Sequence, residues 1–428
     1  MNKIWTYVII ASLGGFLFGF ETAVISGAEK IIQELWNLNS FWHGFTVSIS
    51  LIGTIFGAIF AAKPSEKYGR KRVLQWVAVL YLLSAVGCGL SFNWPMFLIF
   101  RLIGGISVGV SSVVGPLYIS EIAPASTRGR MTGMFQIMIV GGIFIAFLTN
   151  YLFAGIGEHA WRYMLGIMAI PSIAFIVLLK IIPHSPRWLM LKGRKEEAKA
   201  VFELLGQANA QPVEQSQEEK KEQPLFQKQY MKPILFAVLL ALFNQLTGIN
   251  AILYYAPRIF EMAGFNEELA FLQPIFIGGT NMVFTLIGMS IIDKFGRKKL
   301  LLSGAVGMFI FLLLVALGLK SGNTTYLLYY ILGFIGSFAL SQGAVIWVFI
   351  SEIFPNAVRA KGTSLGSTTH WVMATIISWV FPVVVENFSS GGYYIFLFYS
   401  IMVVFSFFFI IAMPETKGKS LEDIQNNL

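Results

Sequence analysis

One acid and one base stand inside long apolar stretches of this 428-residue chain, Glu21 in GGFLFGFETAVISG and Arg101 in FLIFRLIGG. An ion alone in hydrocarbon is costly, so such groups pair with each other or face water. A carboxylate paired with a guanidinium is neutral as a unit, and a proton arriving at the acid would release the base. If the first apolar stretch ends near Ala28, Glu21 lies about 10 Å from its outer end. Arg101 stands seven residues beyond Trp94, which is about the same depth. A second set of residues suits a different chemistry. Gln136, Asn244, Gln245, Asn250 and Asn281 are amides within apolar runs, accompanied by Phe18, Tyr254, Trp347 and Trp371. Each amide offers a donor and an acceptor to neighbouring hydroxyls, and an aromatic ring covers an apolar ligand face. Together they fit a neutral, polyhydroxylated ligand. Taken singly, each amide reads equally well as a hydrogen bond between membrane helices. His370, in THWVMATIISW, adds a group that donates, accepts and titrates near neutral pH. A plain structural hydrogen bond is an equal reading of it.

These residues need elements that cross a membrane. Hydrophobic residues make up 56% of the chain and charged residues 12%, about half the charged share of a soluble domain. The apolar residues fall into twelve runs, near 5–27, 44–63, 73–91, 94–119, 131–153, 163–183, 232–262, 270–292, 299–319, 325–351, 361–385 and 392–413. Each is about 20 residues long, the length of a helix that crosses the hydrocarbon core. The expected class is an all-α membrane protein. Lys63, Lys67, Arg70, Lys71 and Arg72 follow the second run, and Arg128 and Arg130 the fourth. Lys294, Arg297, Lys298 and Lys299 follow the eighth, and Arg359 and Lys361 the tenth, whereas the opposite loops carry few cations. Positive loops stay in the cytoplasm, which predicts a multi-pass protein of the plasma (inner) membrane with both termini cytoplasmic. The net charge of +9 is then a topology signal, and no nucleic-acid partner is implied. Cys88 is the single cysteine, so a disulfide framework is excluded. No cleavable signal peptide is evident.

The second half repeats the first. SEKYGRKR at 65–72 is answered by IDKFGRKK at 292–299, with the two Gly-Arg pairs 227 residues apart. SEIAPASTRGR at 120–130 is answered by SEIFPNAVRAK at 351–361, 231 residues on. The expected domains are a six-helix half at 1–183, a cytoplasmic linker with short helices at 184–231, a second six-helix half at 232–413 and a tail at 414–428. Within the linker, ANAQPVEQSQEEKKEQP has the composition of a mobile segment. Duplicated halves point to a transporter that binds its substrate near the midplane between them. TGIN at 247–250 interrupts its run with a glycine, as broken helices at such sites do. Glu66, Arg70, Glu121 and Arg128 in the first half, with Asp293, Arg297, Glu352 and Arg359 in the second, form the expected cytoplasmic gate. Charge pairs bridging the halves would close it in one state and open it in the other. Enzyme readings lack parts: there is no phosphate-binding loop, no nucleophile elbow and no zinc pattern among His43, His159, His184 and His370.

Along nearly its whole length the chain resembles the sugar porter family of the major facilitator superfamily, in particular the bacterial xylose– and glucose–proton symporters. The matching motifs are FGFETAVISG, the two Gly-Arg loops, PLYISEIAPASTRG, PHSPRWL, NQLTGINAILYYAP, WVFISEIFPNAVRAKG and PETKGKSLED. The resemblance implies the major facilitator fold, twelve helices in two pseudo-symmetric halves. It implies monosaccharide import by proton symport through alternating access, without cofactor or metal, by a chain that works as a monomer in the lipid bilayer. It assigns Phe18, Gln136, Asn244, Gln245, Asn250, Tyr254, Asn281, Trp347, His370 and Trp371 to sugar-contacting positions, and Glu21 with Arg101 to proton coupling. Several residues depart from the family pattern. Glu21 stands where symporters carry Asp, Lys67 where Arg is common, His184 where Glu is usual, His370 where an amide is usual, and Ile143 where the xylose type has Gln. Hexose and pentose both stay open as substrates. So do an uncoupled sugar uniporter, a polyol carrier and a sugar sensor, although the short tail after the last run argues against a sensor.

Overall fold

The structure is a computed structural model of the chain and describes residues 2–124, 126–207, 224–355 and 358–417. Helix is the only regular structure among the described residues. Twelve helical segments are long and apolar enough to cross a membrane, in agreement with the twelve apolar runs. Spans 1 to 6 are Lys3–Leu35, Ser40–Phe60, Arg70–Gly89, Trp94–Ile122, Arg128–Ala154 and Ala160–Leu178. Spans 7 to 12 are Lys228–Tyr254, Glu267–Phe295, Arg297–Ser321, Leu327–Glu352, Arg359–Asn387 and Gly391–Ala412. Span 1 corrects the estimate that it ends near Ala28: the helix continues to Leu35, roughly two more turns.

Contacts divide the chain into two compact units. One is Met1–Asn37 with Ile49–Glu214, the other Leu38–Ser48 with Gln215–Leu428. The first unit thus takes in the start of the linker, and the stretch 38–48 belongs to the second. Inside the first unit, spans 1 and 5 meet backbone to backbone. A Cβ on Gly19 would collide with the Ile139 carbonyl, and one on Gly142 with the Phe16 carbonyl. Asn150 Nδ2 then ties the outer part of span 5 to the Val24 carbonyl at 3.1 Å. The linker begins with two short helices, Pro186–Leu191 and Lys195–Leu204, joined by a small apolar cluster of Trp188, Leu189 and Ala198. Nearly all of ANAQPVEQSQEEKKEQP lies outside the described residues.

Two spans of the second unit are interrupted. Span 7 is helical over Met231–Gln245, turns at Gly248 with φ of 80°, and resumes as Ile249–Tyr254. Glycine alone adopts that φ without steric cost, so the TGIN stretch breaks the helix where the sequence suggested. Span 10 contains a π-helical turn, Ala339–Gly343, between Leu327–Phe338 and Ala344–Glu352. Such bulges commonly mark functional positions.

Candidate functional site

In the first unit the apolar packing of spans 1, 2 and 4 encloses one ion pair. Arg101 Nη1 donates to Glu21 Oε1, and both side chains are 2% exposed. Ser50 of span 2 brings its hydroxyl to the same oxygen at 3.5 Å. Gly104, one turn beyond Arg101, leaves the space the carboxylate occupies: a Cβ there would lie 2.6 Å from Glu21 Oε1 and would also meet the Ser84 hydroxyl. Arg101 Nε has no hydrogen-bond partner. The pair is buried on both sides, so removal of either charge would strand the other. Phe18 and Gln136 are half-buried in the same unit, on spans 1 and 5.

In the second unit four amides form a directed chain. Asn250 Nδ2 donates to Gln245 Oε1 at 2.9 Å, and Gln245 Nε2 to Asn244 Oδ1 at 3.0 Å. Asn244 Nδ2 in turn donates to Gln342 Oε1 at 3.2 Å. The break in span 7 places Asn244 and Gln245 before the turn and Asn250 just after it. His370 lies against Gln245, with ring nitrogens 3.1 and 3.4 Å from Nε2. It also lies 4.8 Å from the Trp347 ring and 4.9 Å from the Trp371 ring, centroid to centroid. Three of the predicted amides, one predicted histidine and two predicted tryptophans are therefore gathered at one place. Asn281 is buried but accepts from Thr285 of its own helix at 3.5 Å, outside that chain. Tyr254 is buried one turn beyond Asn250. Sequence reasoning missed Gln342, although a glutamine in the apolar run of span 10 was a legible signal.

The predicted gate residues form two clusters, and the described ion pairs lie within each unit. Arg70 grips Glu121 Oε1 through Nε at 3.1 Å and Nη2 at 2.8 Å. Arg297 grips Glu352 as a fork, at 3.2 and 2.8 Å, and reaches Asp293 at 3.0 Å. The reason is positional. Gly69 and Gly296, with φ of 90° and 88°, let the chain turn so that the next residue starts a span facing the acid at the end of span 4 or span 10. Arg128 and Arg359 are not the partners of those acids: Arg128 Nε has none, and Arg359 Nε reaches the Phe354 carbonyl at 3.4 Å. The Glu66 side chain is exposed, and it is the Glu66 carbonyl that accepts Trp188 Nε1, at 2.9 Å. Lys67, lacking a fork, sits 5.1 Å over the Tyr68 ring.

The two clusters are completed differently. In the second unit Glu415 accepts from the backbone N–H groups of Arg297 and Lys298, both at 3.0 Å, and Thr416 donates to Glu352 at 2.7 Å. A carboxylate on two free N–H groups at a helix start is favourable on both hydrogen-bonding and dipole grounds. In the first unit His184 stacks on Trp188 at 5.4 Å. Burial, and then the charges of Lys71, Arg194 and Arg72, hold its pKa below the ordinary histidine value, against a weaker pull from Glu197. Among the described residues no group of three or more His, Cys, Asp or Glu could hold a metal ion.

Comparison with known proteins agrees with this architecture. A family model described as "Sugar (and other) transporter" matches residues 7–428. A D-xylose transporter of Levilactobacillus brevis is 36% identical, over 100% of this chain and 97% of that protein. A D-xylose–proton symporter of Escherichia coli (strain K12) is 34% identical, over 99% of this chain and 95% of that protein. The xylose transporter of E. coli, solved in an inward-open conformation, superposes with a TM-score of 0.87 at 33% identity, covering 99% of both chains.

Proposed function

The chain belongs to the sugar (and other) transporter family, and from that premise we propose that it imports a monosaccharide, hexose or pentose, with a proton by alternating access. It is a transporter and not an enzyme, and its twelve spans make it a multi-pass membrane protein. The observation that carries the reading is the Glu21–Arg101 pair, with both side chains 2% exposed. A proton taken up by Glu21 neutralises the acid and frees Arg101, and the released half can then change its packing. With no proton the pair holds. The hydroxyl-matching part of the reading is Asn244, Gln245, Asn250 and His370 beside Trp347 and Trp371; Phe18, Gln136, Tyr254 and Asn281 are the further sugar-contacting positions that the family resemblance assigns. The xylose–proton symporter among its relatives supports both the substrate class and the coupling ion.

In this reading residues 1–183 and 232–413 are the moving halves, joined by the linker 184–231, and the protein acts as a monomer with both termini in the cytoplasm. Arg70–Glu121 and Arg297–Glu352 are cytoplasmic latches that change as the halves move. The test is made in proteoliposomes. Addition of sugar should alkalinise the outer medium, and an imposed proton gradient should drive sugar accumulation. Glu21→Gln should abolish accumulation while sparing exchange of labelled for unlabelled sugar. A Glu21→Gln protein that still accumulates sugar on a proton gradient refutes the coupling role. Sugar flux without any alkalinisation by the wild type would instead favour the uniporter.

A further inference from the structure

The amide chain of the second unit runs in one direction and stops at a residue that no motif pointed to. Each link passes an N–H to the next carbonyl oxygen, from Asn250 through Gln245 and Asn244 to Gln342 Oε1. Gln342 is fully buried, and its Nε2 has no hydrogen-bond partner. It stands in the π-helical turn Ala339–Gly343, whose extra residue shifts the helical register by comparison with an ordinary α-helix. An amide side chain has two orientations, and which end it offers depends on its neighbours. Gln342 offers an acceptor to Asn244. That choice commits Asn244 Oδ1 to Gln245, and Gln245 Oε1 to Asn250. The orientation of Asn250, at the opposite end of the chain, is therefore coupled to that of Gln342 on span 10, with His370 against Gln245 Nε2 as the other contact along the chain.

We propose that Gln342 is a specificity-determining positioning residue of the sugar site: by accepting from Asn244 it sets the polarity of the Asn244–Gln245–Asn250 chain, and so which atoms meet the sugar hydroxyls. This rests on the reading that these amides bind the sugar. Without an acceptor at 342, Asn244 Nδ2 is stranded in an apolar interior. A stranded donor costs far more than a hydrogen bond earns, so Asn244 turns to find another acceptor, and its link to Gln245 is lost. The sugar then meets a chain with two competing orientations in place of one. Substrate affinity and selectivity suffer, whereas the Glu21–Arg101 pair, held in the other unit, is left intact.

The experiment compares the wild type with Gln342→Met, which keeps the length and removes the acceptor, and with Gln342→Glu, which keeps an acceptor for Asn244. D-xylose, D-glucose and their singly deoxygenated analogues are used as probes. Binding is followed by isothermal titration, and transport in proteoliposomes. Gln342→Met should raise Kd and KM by about tenfold, the scale of one stranded donor. It should also compress the differences among deoxy analogues, and leave kcat and the proton-to-sugar ratio unchanged. Gln342→Glu, a carboxylate buried without a cation, should bind more weakly than the wild type but should keep the wild-type ranking of the deoxy analogues, because Asn244 keeps its acceptor. In an Asn244→Ala background, Gln342→Met should have little further effect, because the two act through one link. The inference is overturned if Gln342→Met binds sugar and its analogues as the wild type does. It is also overturned if the effects of Gln342→Met and Asn244→Ala simply add, or if Gln342→Glu compresses the differences among the deoxy analogues as much as Gln342→Met does. Should Gln342→Met fail to fold, Gln342→Ala, which also removes the acceptor, is measured alone and in the Asn244→Ala background with the same outcomes expected. A wild type that binds no monosaccharide would overturn the functional reading itself, a result distinct from any difference among these variants.

Discussion

The buried ion pair makes a demanding prediction about Arg101→Leu. Arg101 and Glu21 are each 2% exposed, and among the described residues the other donor to the carboxylate is the Ser50 hydroxyl, at a long 3.5 Å. Loss of the guanidinium therefore leaves an anion with one weak hydrogen bond in a dry interior. Breaking a buried pair in this way costs about 3–5 kcal/mol, whereas replacing both partners with neutral groups is often close to neutral. Arg101→Leu should be strongly destabilised, and Glu21→Gln with Arg101→Leu should recover most of the loss. The coupling energy from the double-mutant cycle should exceed about 2 kcal/mol, well above the ~0.5 kcal/mol expected of independent sites. Equilibrium unfolding of purified protein in mixed micelles gives the three differences, and the fraction left monodisperse after heating checks them. Neither variant should accumulate sugar on a proton gradient, so stability is restored in the double variant without function. If the single and double variants unfold at the same point, the charge of Glu21 is not what Arg101 balances, and the proton-release argument loses its physical basis.

Other consequences are narrower. Gly104→Ala places a methyl carbon 2.6 Å from Glu21 Oε1; overpacking of this kind costs typically ~1–3 kcal/mol, and the displaced carboxylate should lower proton-driven accumulation more than sugar exchange. Glu415→Ala removes the acceptor of two N–H groups at the start of span 9, so unfolding in micelles should come earlier by about 1–2 kcal/mol, with sugar affinity unchanged. Acid should weaken the first unit through His184. Its pKa is held down by burial and by Lys71, Arg194 and Arg72, so the unfolded chain binds the proton more readily. Stability is then lost as pH falls from about 6.5 toward the lowered folded value. His184→Gln should remove that part of the acid loss, seen as a smaller drop in unfolding midpoint between about pH 7.5 and about pH 5.

Much of this was legible in the sequence because the bilayer is a strict solvent. Backbone groups in it must find partners within the protein, so twelve apolar runs were readable as twelve helical spans, and twelve are found among the described residues. Glu21 and Arg101 stood out for the same reason, since charge within such runs is rare. The premise used to match their depths was nonetheless wrong: span 1 runs on to Leu35, and hydropathy could not see turns of helix that extend past Ala28 and carry Glu29 and Lys30. The charged clusters were legible as residues but not as pairs. Charges in loops leave no period in a sequence, and their partners depend on the backbone turn at Gly69 or Gly296. Gln342 was legible only as an oddity, because its meaning lies in the register of a π-helical turn and in its hydrogen bond to a span a hundred residues away.

The internal repeat reaches further than its motifs suggested. Glu415 stands 231 residues beyond His184, the same spacing that separates Glu121 from Glu352. The two residues are therefore equivalent positions, each beside the helix that starts after Gly69 or Gly296. In the second half the position is filled by an anion that closes two backbone N–H groups. In the first it is filled by an imidazole stacked on Trp188. The Arg–Glu grip at the end of span 4 or span 10 is common to both halves, but only the second is sealed by a carboxylate. Because the first cluster lacks that seal, it rests on Arg70–Glu121, on the Arg70 Nη1 bond to the Ser65 carbonyl and on the Trp188 bond to the Glu66 carbonyl. Of two clusters otherwise built alike, the one without a capping anion leaves its helix start with fewer hydrogen bonds.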